Sequence, residues 1–431
     1  MGVELRTVLF EDGERFSVLV DKETKVPHYW STLFATIELR RYTQNTAKNV
    51  LRDIAHLMLW EGMNKRNLVD EFCAGRFLTH EDIISIREHC GTSSKSLNRR
   101  LKISSKTQTN IDVLYPSKIS KLMKVSAANL NIRIARVASY LGFLARVVLR
   151  ENSSINEFQP LIDNMVKRLI AQKAKGVKKS IQNSIPKIPS KEVFEKLMAV
   201  VEVESVDNPW KSESTRFRNW LMIKILYETG MRSGEVLSLR IDRLDLYAEK
   251  PTIHVTRTHN DPYDSRKNQP VAKTLERNIP ISLSLVDAIS RYIEIRSKIP
   301  EANKHPYLFV TQRKGVTLGQ PLSEAAFYGR VFKPIIDVMP ELFSGMSRHQ
   351  IRHNFNERLS DRIDEINQLA KKDPEIQAIN EKQEIQIRQH LCGWKSEDSP
   401  AIYNQRHIQK VAREALLNDM DRQLGKNNEK K

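Results

Sequence analysis

The stretch from Lys173 to Pro189 cannot carry a helix through, and it divides the chain into two parts. It holds Lys173, Lys175, Lys178, Lys179 and Lys187, with Gly176, Pro186 and Pro189 to interrupt any helix that enters. A chain of 431 residues is in any case too long for one ordinary core, so two or three domains are expected. The pattern predicts a β-hairpin lead-in over 1–27, a helical domain over 28–172 and a basic linker over 173–189. A second domain over 190–418 and a charged tail over 419–431 follow. The linker reads equally as a solvated tether or as a segment lying along phosphates.

Glu4 to Asp21 alternates apolar and polar residues around Asp12-Gly13, a hairpin turn signal. From Tyr29 the period changes to that of helices. Leu33, Phe34 and Ile37, then Leu51, Ile54, Ala55, Met58 and Leu59, recur at i, i+3, i+4, with Asn45-Thr46 as the cap of the second helix. Thr79-His-Glu-Asp82 opens a third helix as a capping box. Residues 91–118 break the pattern and read as a basic loop, either solvated or DNA-contacting. Ala127 to Arg150 is helical again, with Leu130, Ile134, Val137, Ala138, Leu141 and Leu144 on one side. Arg133, Arg136 and Arg146 lie on the other.

Beyond Ser190 a helix starts, and Phe217 to Tyr227 is apolar enough for a buried one, ending at Thr229-Gly230. Thr252 to Thr258 and Asn278 to Ser282 read as two strands of a hairpin, with a polar excursion through Asp261, Pro262 and Asp264 as its extended tip. Pro306 to Thr311 reads as a short strand, Ser323 to Val338 as a helix, and Ile408 to Leu424 as an amphipathic helix. The fold class is therefore mainly α with a small β-sheet (α+β).

The formal net charge of +18 favours a polyanionic partner, nucleic acid first and an acidic membrane surface second. The most apolar window, Val137 to Leu149, is too short to span a membrane and contains Arg146. Glu4, Glu11 and Asp12 fall where a signal peptide would be apolar. Cys73, Cys90 and Cys392 are widely spaced with no Cys-x-x-Cys, which supports neither a zinc site nor a disulfide framework. A reducing cytoplasm fits that usage, and Cys392 reads as a small buried apolar residue.

The chemistry concentrates between His349 and Tyr403. His349 and Arg352 stand three apart, so on a helix they project from one face. An imidazole beside a guanidinium fork suits a phosphodiester. A second fork, Arg232, lies in Thr229-Gly-Met-Arg-Ser-Gly-Glu235. Two Arg forks and a His can neutralise both non-bridging oxygens of one phosphate. Tyr403 can then serve as nucleophile, because a phenol carries a phosphoryl group covalently. Glu235, one turn beyond Arg232, reads as its orienting partner, and His353 as structural.

Gly230-Met-Arg232-Ser-Gly-Glu235, Lys273-Thr-Leu-Glu-Arg277-Asn-Ile-Pro280, His349-Gln-Ile-Arg352-His353, Gly393-Trp394 and Tyr403 together resemble the tyrosine recombinases, or phage integrases, in order and rough spacing. The match is clear from about residue 190 to 410 and looser over 28–165. The resemblance implies a helical core-binding domain that closes half a clamp around double-stranded DNA, followed by a catalytic domain. It implies Arg232, Lys273, His349, Arg352, Trp394 and Tyr403 as catalytic residues, with Lys273 as general acid for the leaving 5′-oxygen. Trp394 takes the place usually held by a second His. Tyr403 follows nine positions later, at the family's interval.

The implied activity is site-specific recombination or integration of a mobile element through a 3′-phosphotyrosyl intermediate, without metal, ATP or other cofactor. It further implies a homo-tetramer on paired sites, with DNA-bending or directionality proteins as further partners. A cytoplasmic, nucleoid-associated protein is expected. The alternatives are a type IB topoisomerase-like or resolvase activity, and a catalytically silent DNA-binding protein of the same fold.

Two departures stand out. Lys273 is seven positions before Pro280, one short of the usual interval, and Lys267 on the same loop is the alternative lysine. The forty-two positions from Arg352 to Trp394 exceed the family's usual span, and the excess near Asp361 to Glu384 is expected to add or extend surface helices.

Overall fold

In the computed structural model the contacts separate two compact units: Met1–Phe10 with Arg15–Lys178, and Glu11–Glu14 with Lys179–Lys431. The structure describes residues 2–97, 123–150, 155–176 and 189–396, with Ala412, Leu416, Leu417, Asp419 and Met420 beyond them. Most of the loop expected over 91–118, most of the linker over 173–189, and most of the helix expected over 408–424 lie outside the described residues. The five C-terminal positions just named are helical, and Leu416, Leu417 and Met420 are exposed.

In the first unit, β1 (Val3–Leu9) and β2 (Arg15–Asp21) pair antiparallel, Val3 opposite Asp21 and Leu9 opposite Arg15. Gly13 turns the chain with φ 85° while Asp12 accepts a hydrogen bond from the Glu14 amide. Leu19 of β2 packs under the helices that follow. These are α1 (Tyr29–Phe34), continued by a π-helical turn over Ala35–Leu39, α2 (Gln44–Met63), α3 (Leu68–Cys73), α4 (His80–Cys90), α5 (Ala127–Val148) and α6 (Ile155–Ala171). α2 starts after Thr43 rather than at Asn45-Thr46, because Thr43 takes the extended capping conformation and pairs its hydroxyl with that of Thr46. The capping box at Thr79 is present: its hydroxyl accepts from the Asp82 amide at 3.2 Å, and the Asp82 carboxylate accepts from the Thr79 amide at 2.9 Å.

The apolar stripe of α5 is buried, but its arginines are not a free basic face. Arg133 and Arg136 both turn to Asp53 of α2, at 3.1 and 2.7 Å, and Arg133 also donates to the Cys90 and Thr92 carbonyls. A buried carboxylate requires such counter-charges. Arg146 pairs with Asp163 of α6.

The second unit is built around α8 (Glu213–Thr229), packed by α7 (Lys191–Val201), which follows the Ser190 cap. Phe217, Leu221, Met222, Ile223, Ile225 and Leu226 of α8 are all buried, and so are its polar Arg218 and Asn219, so the helix is enclosed on most sides. After it come α9 (Ser233–Leu237), β3 (Leu244–Asp245), β4 (Thr252–Val255) and β5 (Arg277–Pro280). The three strands form an antiparallel sheet in chain order, with Ile253 opposite Ile279.

The polar excursion between β4 and β5 is not an exposed tip. Asp261, Asp264 and Arg266 are buried, and Asp264 pairs with Arg266 at 2.7 Å. Asp261 accepts from Arg240 and from the Tyr307 hydroxyl. Polar residues of this kind read as solvated until their partners, far along the chain, are known.

α10 (Leu283–Ser297) is capped by Ser282. Pro306 to Thr311 makes only two isolated bridges, Arg240 with Tyr307 and Val310 with Pro321, rather than a strand. Helical turns over Glu324–Ala326, Phe327–Phe332 and Lys333–Val338 cover the helix expected there.

The unit closes with α11 (Arg348–Ala370) and α12 (Glu381–Cys392). Arg388 is wholly buried and donates to the Asn356 carbonyl and Ser360 hydroxyl, while Asn367 bonds both the amide and the carbonyl of Ile379. Partners thus run in opposite directions, making an antiparallel helical hairpin. The excess near Asp361 to Glu384 is the lengthened end of α11, its return loop and the start of α12. No helix among the described residues is long and apolar enough to cross a membrane.

Candidate active site

α8 ends at Gly230, whose φ of 62° reverses the chain in the left-handed region that glycine adopts without cost. That reversal delivers Arg232 to the N-cap of α9. The Arg232 amide donates to the Glu235 carboxylate at 3.0 Å, so Glu235 caps the turn that presents its own arginine. The Arg232 Nη1 forms a long ion pair with Glu235 Oε1 at 3.5 Å, and it is buried with no hydrogen-bond partner among the described residues. A buried donor left so costs about 1–3 kcal/mol, which a bound anion would recover.

Glu235 is held for structural duty. Its side chain is 1% exposed and accepts from Thr274 Oγ1 at 2.6 Å and from Arg277 Nη2 at 2.9 Å. Burial works to raise its pKa. The charges of Arg277 and Arg352 and these hydrogen bonds outweigh burial and hold the carboxyl below its usual range. It therefore stays ionised and spoken for.

Arg352 projects from the first turns of α11 and is buried. Its Nη1 donates to the Gly230 carbonyl at 2.7 Å and its Nη2 to the Cys392 carbonyl at 2.8 Å. The guanidinium lies 5.1 Å from the centre of the Trp394 ring, a cation–π contact that fixes its plane. Arg232 and Arg352 are close enough that burial, and then the Arg352 charge, press the Arg232 guanidinium below its ordinary pKa. Two cations that repel each other in a sheltered place describe an anion site.

His349, one turn before Arg352, is solvent-exposed. Partial desolvation, followed by the charges of Arg232, Arg352, Arg348 and Lys273, lowers its pKa from 6.5. The imidazole is thus kept neutral near pH 7, as a proton acceptor requires. The same set of neighbours brings Lys273, exposed on the loop before β5, into the site. His353 is half-buried one turn beyond His349 on α11.

Trp394 follows Gly393, which ends α12 in the left-handed region at φ 64°. Trp394 packs with Cys392 and Phe355, and Cys392 is fully buried against Asn356. Tyr403 lies outside the described residues. Five of the six residues assigned to catalysis therefore fall in one unit, and contacts and charges link them. Among the described residues no group of His, Cys, Asp and Glu gathers as a metal site.

Sequence reasoning missed Thr274 and Arg277 as parts of this site. Arg277 lies within the Lys273-to-Pro280 motif, yet in a chain with 70 Lys and Arg its charge reads as one more surface group. The alternation of the returning strand was the available signal, since it puts Arg277 and Ile279 on the same inward face.

The second unit of this mainly helical chain brings two arginines together beside a neutral His, an arrangement suited to an anion. Residues 190–371 match the phage integrase family. It is similar to Transposase A from transposon Tn554 of Staphylococcus aureus, 28% identical over 214 residues, 49% of this chain and 54% of that protein. It is also similar to the tyrosine recombinase XerD of Halalkalibacterium halodurans, 25% identical over 227 residues, 52% of this chain and 67% of that one. The chain thus spans about half the length of the first of these relatives. Among solved structures it is similar to the Tn1549 transposon integrase in complex with transposon right end DNA. The identity is 14% and the TM-score 0.45, over 89% of this chain and 98% of the other.

Proposed function

We propose that the protein is a site-specific DNA recombinase that cuts and rejoins duplex DNA through a 3′-phosphotyrosyl intermediate, integrating or excising a mobile element. The observation that carries this reading is the Nη1 of Arg232, buried without a hydrogen bond and ion-paired to Glu235 only at 3.5 Å, beside the anchored guanidinium of Arg352. Both are aimed where the negative charge of a phosphodiester would grow during attack.

The Tyr403 oxygen attacks phosphorus as the bond to the 5′-oxygen breaks. His349 takes the phenolic proton, and Lys273 gives one to the leaving oxygen. Charge is conserved, and the phosphate remains esterified to tyrosine until a second 5′-hydroxyl reverses the step. Trp394 orients the Arg352 guanidinium. The first unit serves as the core-binding half of a clamp, and the net charge of +18 suits the polyanion it would grip. Assembly as a homo-tetramer on paired sites, with accessory DNA-bending or directionality proteins, belongs to the same proposal.

The test is a nicked suicide duplex carrying the junction of the element with its flanking DNA. The wild-type chain should leave a protein–DNA adduct on a denaturing gel. The Tyr403→Phe variant, which loses only a hydroxyl, should bind the duplex and leave none. Adduct from the Phe variant would mean the nucleophile is wrongly assigned. Binding without adduct from the wild type would mark a silent DNA-binding protein, and site-independent relaxation of supercoils a topoisomerase.

A further inference from the structure

We propose that Arg277 is a positioning residue of this site, a buried group that ties the lysine loop, the Arg232–Glu235 pair and the end of α12 to one another. The proposal rests on the reading of the site given above. It goes beyond that reading by assigning a role to a residue that touches neither DNA nor any reacting atom.

The side chain of Arg277 is 2% exposed, and each of its three nitrogens is spent inward. Nη2 donates to Glu235 Oε2 at 2.9 Å, Nη1 to Thr274 Oγ1 at 2.9 Å, and Nε to the Leu391 carbonyl at 2.8 Å. Each contact leads to a different part of the site. Glu235 caps the turn that presents Arg232. Thr274 adjoins Lys273 and itself donates to Glu235. Leu391 is in the last turn of α12, whose next carbonyl, Cys392, is held by Arg352.

Two buried guanidinium groups therefore satisfy successive carbonyls at the helix end that leads to Trp394, where the helix offers no amide partners of its own. The backbone closes the same circuit: the Leu275 amide donates to the Gly393 carbonyl at 2.9 Å. A Cβ on Gly393 would stand 2.8 Å from Arg277 Nη1 and 2.9 Å from Leu275 O. The lysine loop is thus pressed onto the end of α12 with no room to slide.

A planar fork with donors in fixed directions can join three acceptors in this way. An ammonium on a flexible stem cannot reproduce it. Removing Arg277 would leave the Glu235 carboxylate buried with its chief counter-charge gone. Burial would then push its pKa up, and protonation would loosen the turn that presents Arg232.

The experiment measures single-turnover adduct formation on the suicide duplex for the full-length wild type, Arg277→Met, Glu235→Gln, the double variant and Arg277→Lys. Duplex affinity and melting temperature are followed in parallel. Arg277→Met should bind DNA within about twofold of wild type yet cleave at least about tenfold more slowly, as expected for misplaced reacting groups. Its deficit should grow by a further factor of about three or more between pH 8 and pH 6, as the Glu235 carboxyl takes up a proton. In the Glu235→Gln background that added pH dependence should vanish, and the double variant should be no slower than the worse single one.

Arg277→Lys, which keeps the charge and folds more readily, should stay slow. Equal cleavage by wild type and Arg277→Met overturns the positioning role. So does a deficit that is the same at both pH values. Parallel loss of DNA affinity and melting temperature in both Met and Lys variants also overturns it, because Arg277 would then only hold the fold. Absence of adduct from the wild type would instead overturn the reading of the site itself.

Discussion

Replacing Gly230 with Ala tests whether the site is built on close approach of α8 and α11. Gly230 has φ 62°, where an L-residue is strained by about 1–2 kcal/mol. A Cβ there would also overlap the Phe355 ring of α11. Forcing that ring aside is overpacking, worth about 1–3 kcal/mol. The two terms together predict a loss of about 2–5 kcal/mol in the second unit, or roughly 4–20 °C in its melting transition at about 2–4 °C per kcal/mol.

Catalysis should suffer as well, because the Gly230 carbonyl anchors Arg352 and Phe355 shares its helix. Thermal unfolding of Gly230→Ala, Phe355→Leu and the double variant separates the terms. A smaller residue at 355 should relieve the overlap, so the double variant should be more stable than the two single losses added together, keeping the backbone strain alone. A Gly230→Ala protein that melts within about 2 °C of wild type would refute the reasoning.

Further outcomes follow from the same geometry. Arg232→Ala should slow single-turnover cleavage by about a hundredfold or more, the usual effect of losing one charge-stabilising donor, and a change of less than about tenfold would remove Arg232 from that role. Because partial desolvation and four neighbouring cations lower the pKa of His349, its neutral form persists below pH 6.5, so cleavage should stay level through neutrality and fall only on further acidification. Arg348→Met lifts one of those repulsions and should move the acid limb to higher pH; a limb that stays put in the pH–rate profile would exclude His349 as the base. Duplex affinity should fall with salt at a log–log slope steeper than about −3, as titrations between low and moderate salt can check.

Local chemistry made much of this protein legible from its sequence. Helical and strand periodicities, the Thr79 cap and the end of α8 at Gly230 depend on neighbours a few positions away, and the chain declares them. His349 and Arg352 on one helical face, with Arg232 beside Glu235, are likewise short-range statements. Even locally there are blind spots: Pro160 stands inside α6 and hides that helix from its pattern.

What the sequence alone did not decide is which charges face inward. Arg133, Arg136, Arg266, Arg277 and Arg388 are indistinguishable from surface arginines until Asp53, Asp264, Glu235 and Glu384 are found opposite them. Asp53 and Glu235 answer arginines on other elements, and Asp264 and Arg266 are buried only because their loop folds back. Burying a charge depends on a partner that tertiary folding brings, often from far along the chain. For that reason candidate reacting residues could be named from sequence, while the buried Arg277 that links their supports emerged only from the fold.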